Sequence, residues 1–175
     1  ALNIFFDMMQ YTGLDDPGEQ VDLDRFRTLL AMAKGLGLDT SLACVANEAY
    51  SNSPQELRAD WTAGHDGYYA EPDGHYHLEL CPNKPGSMEL EMKWFEEKMS
   101  VFKDIGLDYL WIWPYDTGGC TCSQCAPWGT NGFLKAAEPL AHAYRRHFPE
   151  GKVVLSTWNF DRATIGEWAG LAENF

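Results

Sequence analysis

The chain has 175 residues, about one domain at roughly 150 residues each, and 45% of them are hydrophobic. Lys and Arg number 13 against 26 Asp and Glu, a net charge of −13. That balance argues against nucleic acid, whose phosphates need a basic stripe, and against an anionic membrane surface. The unbroken apolar runs fall far short of the ~20 residues a membrane helix needs.

Leu2 to Met8 reads as a strand that begins almost at residue 1 without an initiator Met, so the chain reads as cut from something longer. Asp15-Asp16-Pro17-Gly18 is a turn signal. Val21 to Leu36 has helical spacing through Leu23, Phe26, Leu29, Leu30 and Ala33. Asp22 or Asp24 would serve its first turn, and Gly35 and Gly37 would end it. A second strand is expected over about Thr40 to Ala46, followed by a long polar stretch from Asn47 to Gly74 without periodicity. His75 to Cys81 alternates, with His77, Glu79 and Cys81 on one face, and predicts a third strand.

Ser87 to Ile105 is the clearest helix, with Met88, Met92, Phe95, Met99 and Phe102 forming a core stripe. Tyr109 to Tyr115 predicts a fourth strand, Asn131 to Phe148 a helix kinked at Pro139, Val153 to Trp158 a fifth strand, and Ile165 to Phe175 a last helix. Strands alternating with helices imply parallel βαβ units in a single domain, 1–175. The first strand is followed by Asp7-Met8-Met9-Gln10, with no glycine-rich phosphate turn. Polar residues gather after each strand, as on the C-terminal face of a (β/α)8 TIM barrel. The expectation is an α/β fold, a partial barrel of about five βα units.

The strongest local signal is Asp116-Thr-Gly-Gly-Cys120-Thr-Cys122-Ser-Gln-Cys125, directly after a strand. Thiolates are soft ligands for zinc or iron–sulfur centres, and a closed tetrahedral zinc site needs a fourth. Cys81, ending the preceding strand, is the candidate fourth ligand; Cys44 reads as a small core residue. A structural zinc on Cys81, Cys120, Cys122 and Cys125 stands beside two alternatives, packed thiols or a loop disulfide, and an iron–sulfur cluster that the C-x-C-x2-C spacing disfavours.

Glycosidases place two carboxyl groups across the scissile bond. Asp116 is the first candidate and Glu48, after the second strand, its partner; Asp7 or Asp161 would replace either. Asn47, His77 and Asn83 are candidate hydrogen-bonding groups for a polar ligand, together with Asp7 and Asp161. Trp113, Tyr115, Trp128 and Trp158 are candidate stacking platforms for sugar rings. No cofactor is required for that chemistry. No G-x-S-x-G elbow, Walker A loop, H-E-x-x-H or kinase set occurs.

Trp113-Pro-Tyr-Asp116-Thr-Gly-Gly-Cys120-Thr-Cys122-Ser-Gln-Cys125 resembles the "Asp, then C-x-C-x2-C" signature of bacterial barrel proteins related to glycoside hydrolase family 20 and the α-glucuronidases. Leu80-Cys81-Pro82-Asn83 and Pro149-Glu-Gly-Lys-Val153 are similar to further parts of that pattern, over about residues 75 to 160. The resemblance implies a (β/α)8 barrel and bacterial glycan processing, with Asp116 in the substrate site. The adjacent Asp-Glu pair of family 20 is absent from this chain.

The expected function is therefore glycoside hydrolysis by paired carboxylates. Two alternatives are a non-catalytic carbohydrate-binding barrel and an iron–sulfur enzyme on a partial barrel. Open strand edges would favour a homodimer if the chain stands alone. The sequence leaves the compartment open between cytoplasm and periplasm.

Overall fold

The structure is a computed structural model that describes residues 1–5, 13–14, 16–48, 50, 52–60, 78–114, 119–156 and 169–175. Its centre is one sheet of four parallel strands, β1 (Leu2–Phe5), β2 (Thr40–Val45), β3 (Tyr109–Trp113) and β4 (Lys152–Leu155), in the order β1-β2-β3-β4. Helix α1 (Pro17–Gly35) links β1 to β2, α2 (Ser87–Val101) lies between β2 and β3, and α3 (Lys135–His147) between β3 and β4. A short α4 (Leu171–Asn174) closes the chain. Among the described residues no helix is long and apolar enough to cross a membrane.

This corrects the expected fold. The molecule is a small α/β protein with a four-stranded all-parallel sheet, which does not plainly match a (β/α)8 TIM barrel of about five units. The surplus unit came from the alternation at His75 to Cys81. Residues 75–77 lie outside the described ones, and Leu80 makes an isolated antiparallel bridge with Arg58 instead of joining the sheet. Strand β2 pairs directly with β3, Leu42 opposite Leu110 and Cys44 opposite Ile112, so no strand lies between them.

Sequence chemistry explains the elements. Asp16 caps α1, accepting from the Gly18 N–H at 2.8 Å and the Glu19 N–H at 3.3 Å. Pro17 follows at the first helical position, where its fixed φ suits the helix and its missing N–H costs nothing. The turn signal at Asp15-Asp16-Pro17-Gly18 is thus a helix start, and α1 begins before Val21. Helix α3 runs through Pro139 and is preceded by a π-helical turn, Gly129–Leu134. The last helix is only four residues long, and residues 157–168 of the region before it lie outside the described ones.

One face of the sheet is the core face. Ile4, Leu42, Cys44, Leu110 and Ile112 pack with Leu23 and Leu30 of α1, Phe95 and Met99 of α2, and Leu140, Ala143 and Tyr144 of α3. The expected Met and Phe stripe of α2 is core: Phe95, Met99 and Phe102 are buried, and Met88 and Met92 pack against them. Cys44 is buried as expected, and desolvation pushes its thiol above the ordinary range.

The amino ends of the strands are fastened by Asp108. Its carboxylate accepts from Lys34 Nζ at 2.6 Å and from the Thr40 N–H at 2.7 Å. Burial alone would raise the Asp108 pKa, but Lys34 and Thr40 together hold it below the usual carboxylate range.

Candidate metal centre

The carboxyl ends of β2 and β3 carry two polar constructions. The first is built from β2, the segment after it and α2. Glu48 turns back on its strand, its Oε1 accepting from the Val45 N–H at 3.3 Å and its Oε2 lying 2.9 Å from Lys98 Nζ. Lys98 also donates to the Tyr50 hydroxyl at 2.9 Å, and the Tyr50 ring meets Trp94 edge-on at 4.8 Å. The Glu48 N–H donates to Glu91 Oε2 at 3.0 Å. Lys98, Glu48 and Glu91 are 0%, 2% and 1% exposed, so their charges must cancel internally.

Desolvation, then the neighbouring Glu48 charge, raises the Glu91 pKa well above the usual carboxylate range. Burial lowers the Lys98 pKa, but Glu48, Cys44 and Glu91 together offset it and the net shift is upward. The geometry therefore pairs Lys98 with Glu48, and the raised Glu91 pKa favours the protonated form of that carboxyl. Glu48 does not stand at a surface where it would flank a scissile bond with Asp116. Neither Glu91 nor Lys98 was a candidate from sequence. The signal for them was available: positions 91 and 98 share the helical arc of Phe95 and Phe102.

The second construction is the cysteine centre. Three stretches meet there. Residues 57–60 and 79–81 run side by side, the Ala59 N–H donating to Glu79 O at 2.7 Å and the Cys81 N–H to Leu57 O at 2.9 Å. The loop after β3 joins through the Thr121 N–H, which donates to Asp60 O at 2.8 Å. The C-x-C-x2-C spacing folds as a tight turn, the Cys125 N–H donating to Cys122 O at 3.0 Å. Cys81, Cys120, Cys122 and Cys125 thus bring four sulfurs within 4.8 Å of one another, a group able to hold a metal ion. The Cys81 sulfur lies 3.7 Å from that of Cys125 and 4.0 Å from that of Cys122.

Cys81, Cys120 and Cys125 are buried in the main core, and Cys122 is half-buried. All four are free cysteines, so the alternative of a loop disulfide is not formed. Contacts with the sulfurs of Cys120 and Cys125 hold the Cys81 pKa below the ordinary thiol range. The same contacts with Cys120 and Cys81, together with burial, push Cys125 upward.

Several candidate ligand groups turn out to serve this construction. Asn83 Nδ2 lies 3.1 Å from Cys125 Sγ. Asn47 donates to Leu80 O at 3.2 Å and so ties the end of β2 to the segment that carries Cys81. Trp128 is not a stacking platform. It is 2% exposed and lies between Gly119 and Gly132, where an added Cβ would come within 2.1 Å and 1.9 Å of its ring. Only glycine admits the indole at those positions. Trp113 is half-buried at the end of β3. The candidates Asp7, His77, Tyr115, Asp116, Trp158 and Asp161 lie outside the described residues.

No family model, curated protein or solved structure matches the chain. The comparisons therefore identify it neither as a glycoside hydrolase nor as a member of any other family.

The raised pKa of Glu91 has a measurable consequence. A folded-state pKa raised above the unfolded value of about 4.3 gives stability that is complete below that pH. It is lost as pH rises through the folded value, with a slope of up to about 1.4 kcal/mol per unit. E91Q keeps the shape and the neutral state. In urea unfolding at pH 5 and pH 8, E91Q is expected to gain at least about 1 kcal/mol on the wild type between the two. An equal difference at both pH values would show Glu91 to be ionised throughout.

Proposed function

We propose that Cys81, Cys120, Cys122 and Cys125 hold one zinc ion in a closed structural site. The observation that carries this reading is the spacing of the sulfurs. A tetrahedral ion with Zn–S bonds of about 2.3 Å sets its sulfurs about 3.8 Å apart. The Cys81–Cys125 and Cys81–Cys122 distances, 3.7 and 4.0 Å, lie close to that value. An iron–sulfur cluster interposes several irons and inorganic sulfides between its thiolates, which spreads them further than this group is spread. Four protein ligands leave no open position for water or substrate, so the ion's task is to hold structure. It would fasten residues 78–84 to 119–126 at the carboxyl end of the sheet, with 57–60 held to both by backbone hydrogen bonds.

The expected outcome is a metal-dependent melting temperature. A site filled at about a thousand times its dissociation constant adds roughly 4 kcal/mol, which is on the order of 10 °C for a chain of this size. A strong chelator should lower the melting temperature by about that much, and added zinc should restore it. C81S should melt low from the start and ignore both additions. An unchanged melting temperature after chelation would overturn the structural role.

A second reading, action on a carbohydrate, is favoured by the place of the cysteine loop. It leaves the carboxyl end of β3 directly after half-buried Trp113, and crevices outside the carboxyl ends of strands are where open parallel sheets bind ligands. In this reading the zinc braces the loop that begins with Asp116. Asp116 is then the first carboxylate to test, because Glu48 is committed to Lys98. D116N should reduce kcat/KM on a glycoside substrate at least about a hundredfold, and a value within about twofold of the wild type would remove Asp116 from catalysis.

A further inference from the structure

A divalent ion bound by four thiolates is a dianion, and three of these thiolates are buried in the main core. Such a charge needs N–H donors aimed at its sulfurs. Among the described residues the Asn83 backbone N–H serves Cys81 and the Cys122 backbone N–H serves Cys120, and two further donors reach across from other segments. The Asp60 backbone N–H donates to Cys120 Sγ at 3.3 Å, and the Asn83 side-chain amide donates to Cys125 Sγ at 3.1 Å.

Asn83 does more than donate to sulfur. Its Nδ2 also reaches Gln124 O at 3.2 Å and Asn131 O at 3.0 Å, so one amide spans the cysteine loop and the π-helical turn before α3. Its Oδ1 accepts from Lys135 Nζ. Lys135 is exposed at the start of α3 and touches no sulfur itself. Asn83 also stands two residues after Cys81 in a turn closed by the Lys84 N–H on Cys81 O at 3.1 Å. A single turn therefore supplies one ligand and grips a second ligand on the facing loop.

We propose that Asn83 and Lys135 form a relay that positions and neutralises the Cys125 thiolate of the metal centre, an inference that rests on the zinc reading above. The Lys135 charge polarises the Asn83 amide, and the amide N–H carries that polarisation to the sulfur. Asn83 is accordingly a positioning residue for the metal and not a carbohydrate ligand.

The test is a double-mutant cycle read by zinc competition against a chromophoric chelator and by the thiolate-to-cobalt charge-transfer band of the cobalt-loaded protein. N83A should weaken zinc binding ~10–100-fold and shift the cobalt band. N83D keeps the shape and the Lys135 contact but replaces the donor with an acceptor, so it should weaken binding at least as much. K135M alters an exposed side chain and should cost about 2–5-fold in the wild-type background and nothing beside N83A. Two results would overturn the relay. One is N83A and N83D binding zinc within twofold of the wild type with an unmoved cobalt band. The other is K135M having the same effect in both backgrounds. A wild-type protein that takes up neither zinc nor cobalt would remove the metal reading itself, and the relay with it.

Discussion

Four sulfurs within 4.8 Å of one another, mostly withdrawn from water, are the constraint around which the carboxyl end of this sheet is arranged. They cannot all carry charge without a cation between them, because like charges so close in a core repel strongly. With a cation they become a crosslink between segments far apart in sequence. The backbone around them is laid out for that role. Residues 57–60 pair with 79–81, and Thr121 docks on Asp60. The indole of Trp128, seated between Gly119 and Gly132, ties the cysteine loop to the helical turn before α3.

Beside the sulfurs stands a second solution to the same problem of buried charge. Lys98 and Glu48 pair at 2.9 Å, and burial beside Glu48 raises the Glu91 pKa. Buried ion pairs of this kind seldom add stability over an apolar core of the same shape, but breaking one by removing a partner costs about 3–5 kcal/mol. Here the pair fixes direction. Glu48 reaches back to the Val45 N–H, while the backbone of Glu48 and the side chain of Asn47 both bond to Leu80. The turn after β2 is thereby aimed at the segment that delivers Cys81. The ion pair and the cysteine centre are linked through Leu80 and Cys81, neighbours in the chain.

The cysteine cluster was legible because its chemistry is local. C-x-C-x2-C places three thiols in one turn, and Cys81 was the remaining cysteine beside a strand end. The core stripe of α2 was legible for a similar reason, since helical period and apolar type agree there. The strand expected at His75 to Cys81 was not legible, because alternation describes any extended segment and does not say which edge it will meet. Asn83 and Trp128 were read as ligand-facing from their polarity, their aromaticity and their place after strands. Their partners, Cys125 with Lys135 and Gly119 with Gly132, are set by tertiary folding. Glu48 read as a catalytic carboxylate because its partner Lys98 lies fifty residues away in the chain. The start of α1 was misplaced at Val21, because in Asp16-Pro17 a helix cap and a turn share the same residue types.

The central claim is one tetrahedral zinc per chain on Cys81, Cys120, Cys122 and Cys125. Its most direct test is native mass spectrometry with elemental analysis of the chain purified without chelator or nickel affinity. One zinc per chain, retained in the folded ion and lost on acid unfolding, is the predicted result. A metal-free folded chain, or iron accompanied by inorganic sulfide, would contradict it.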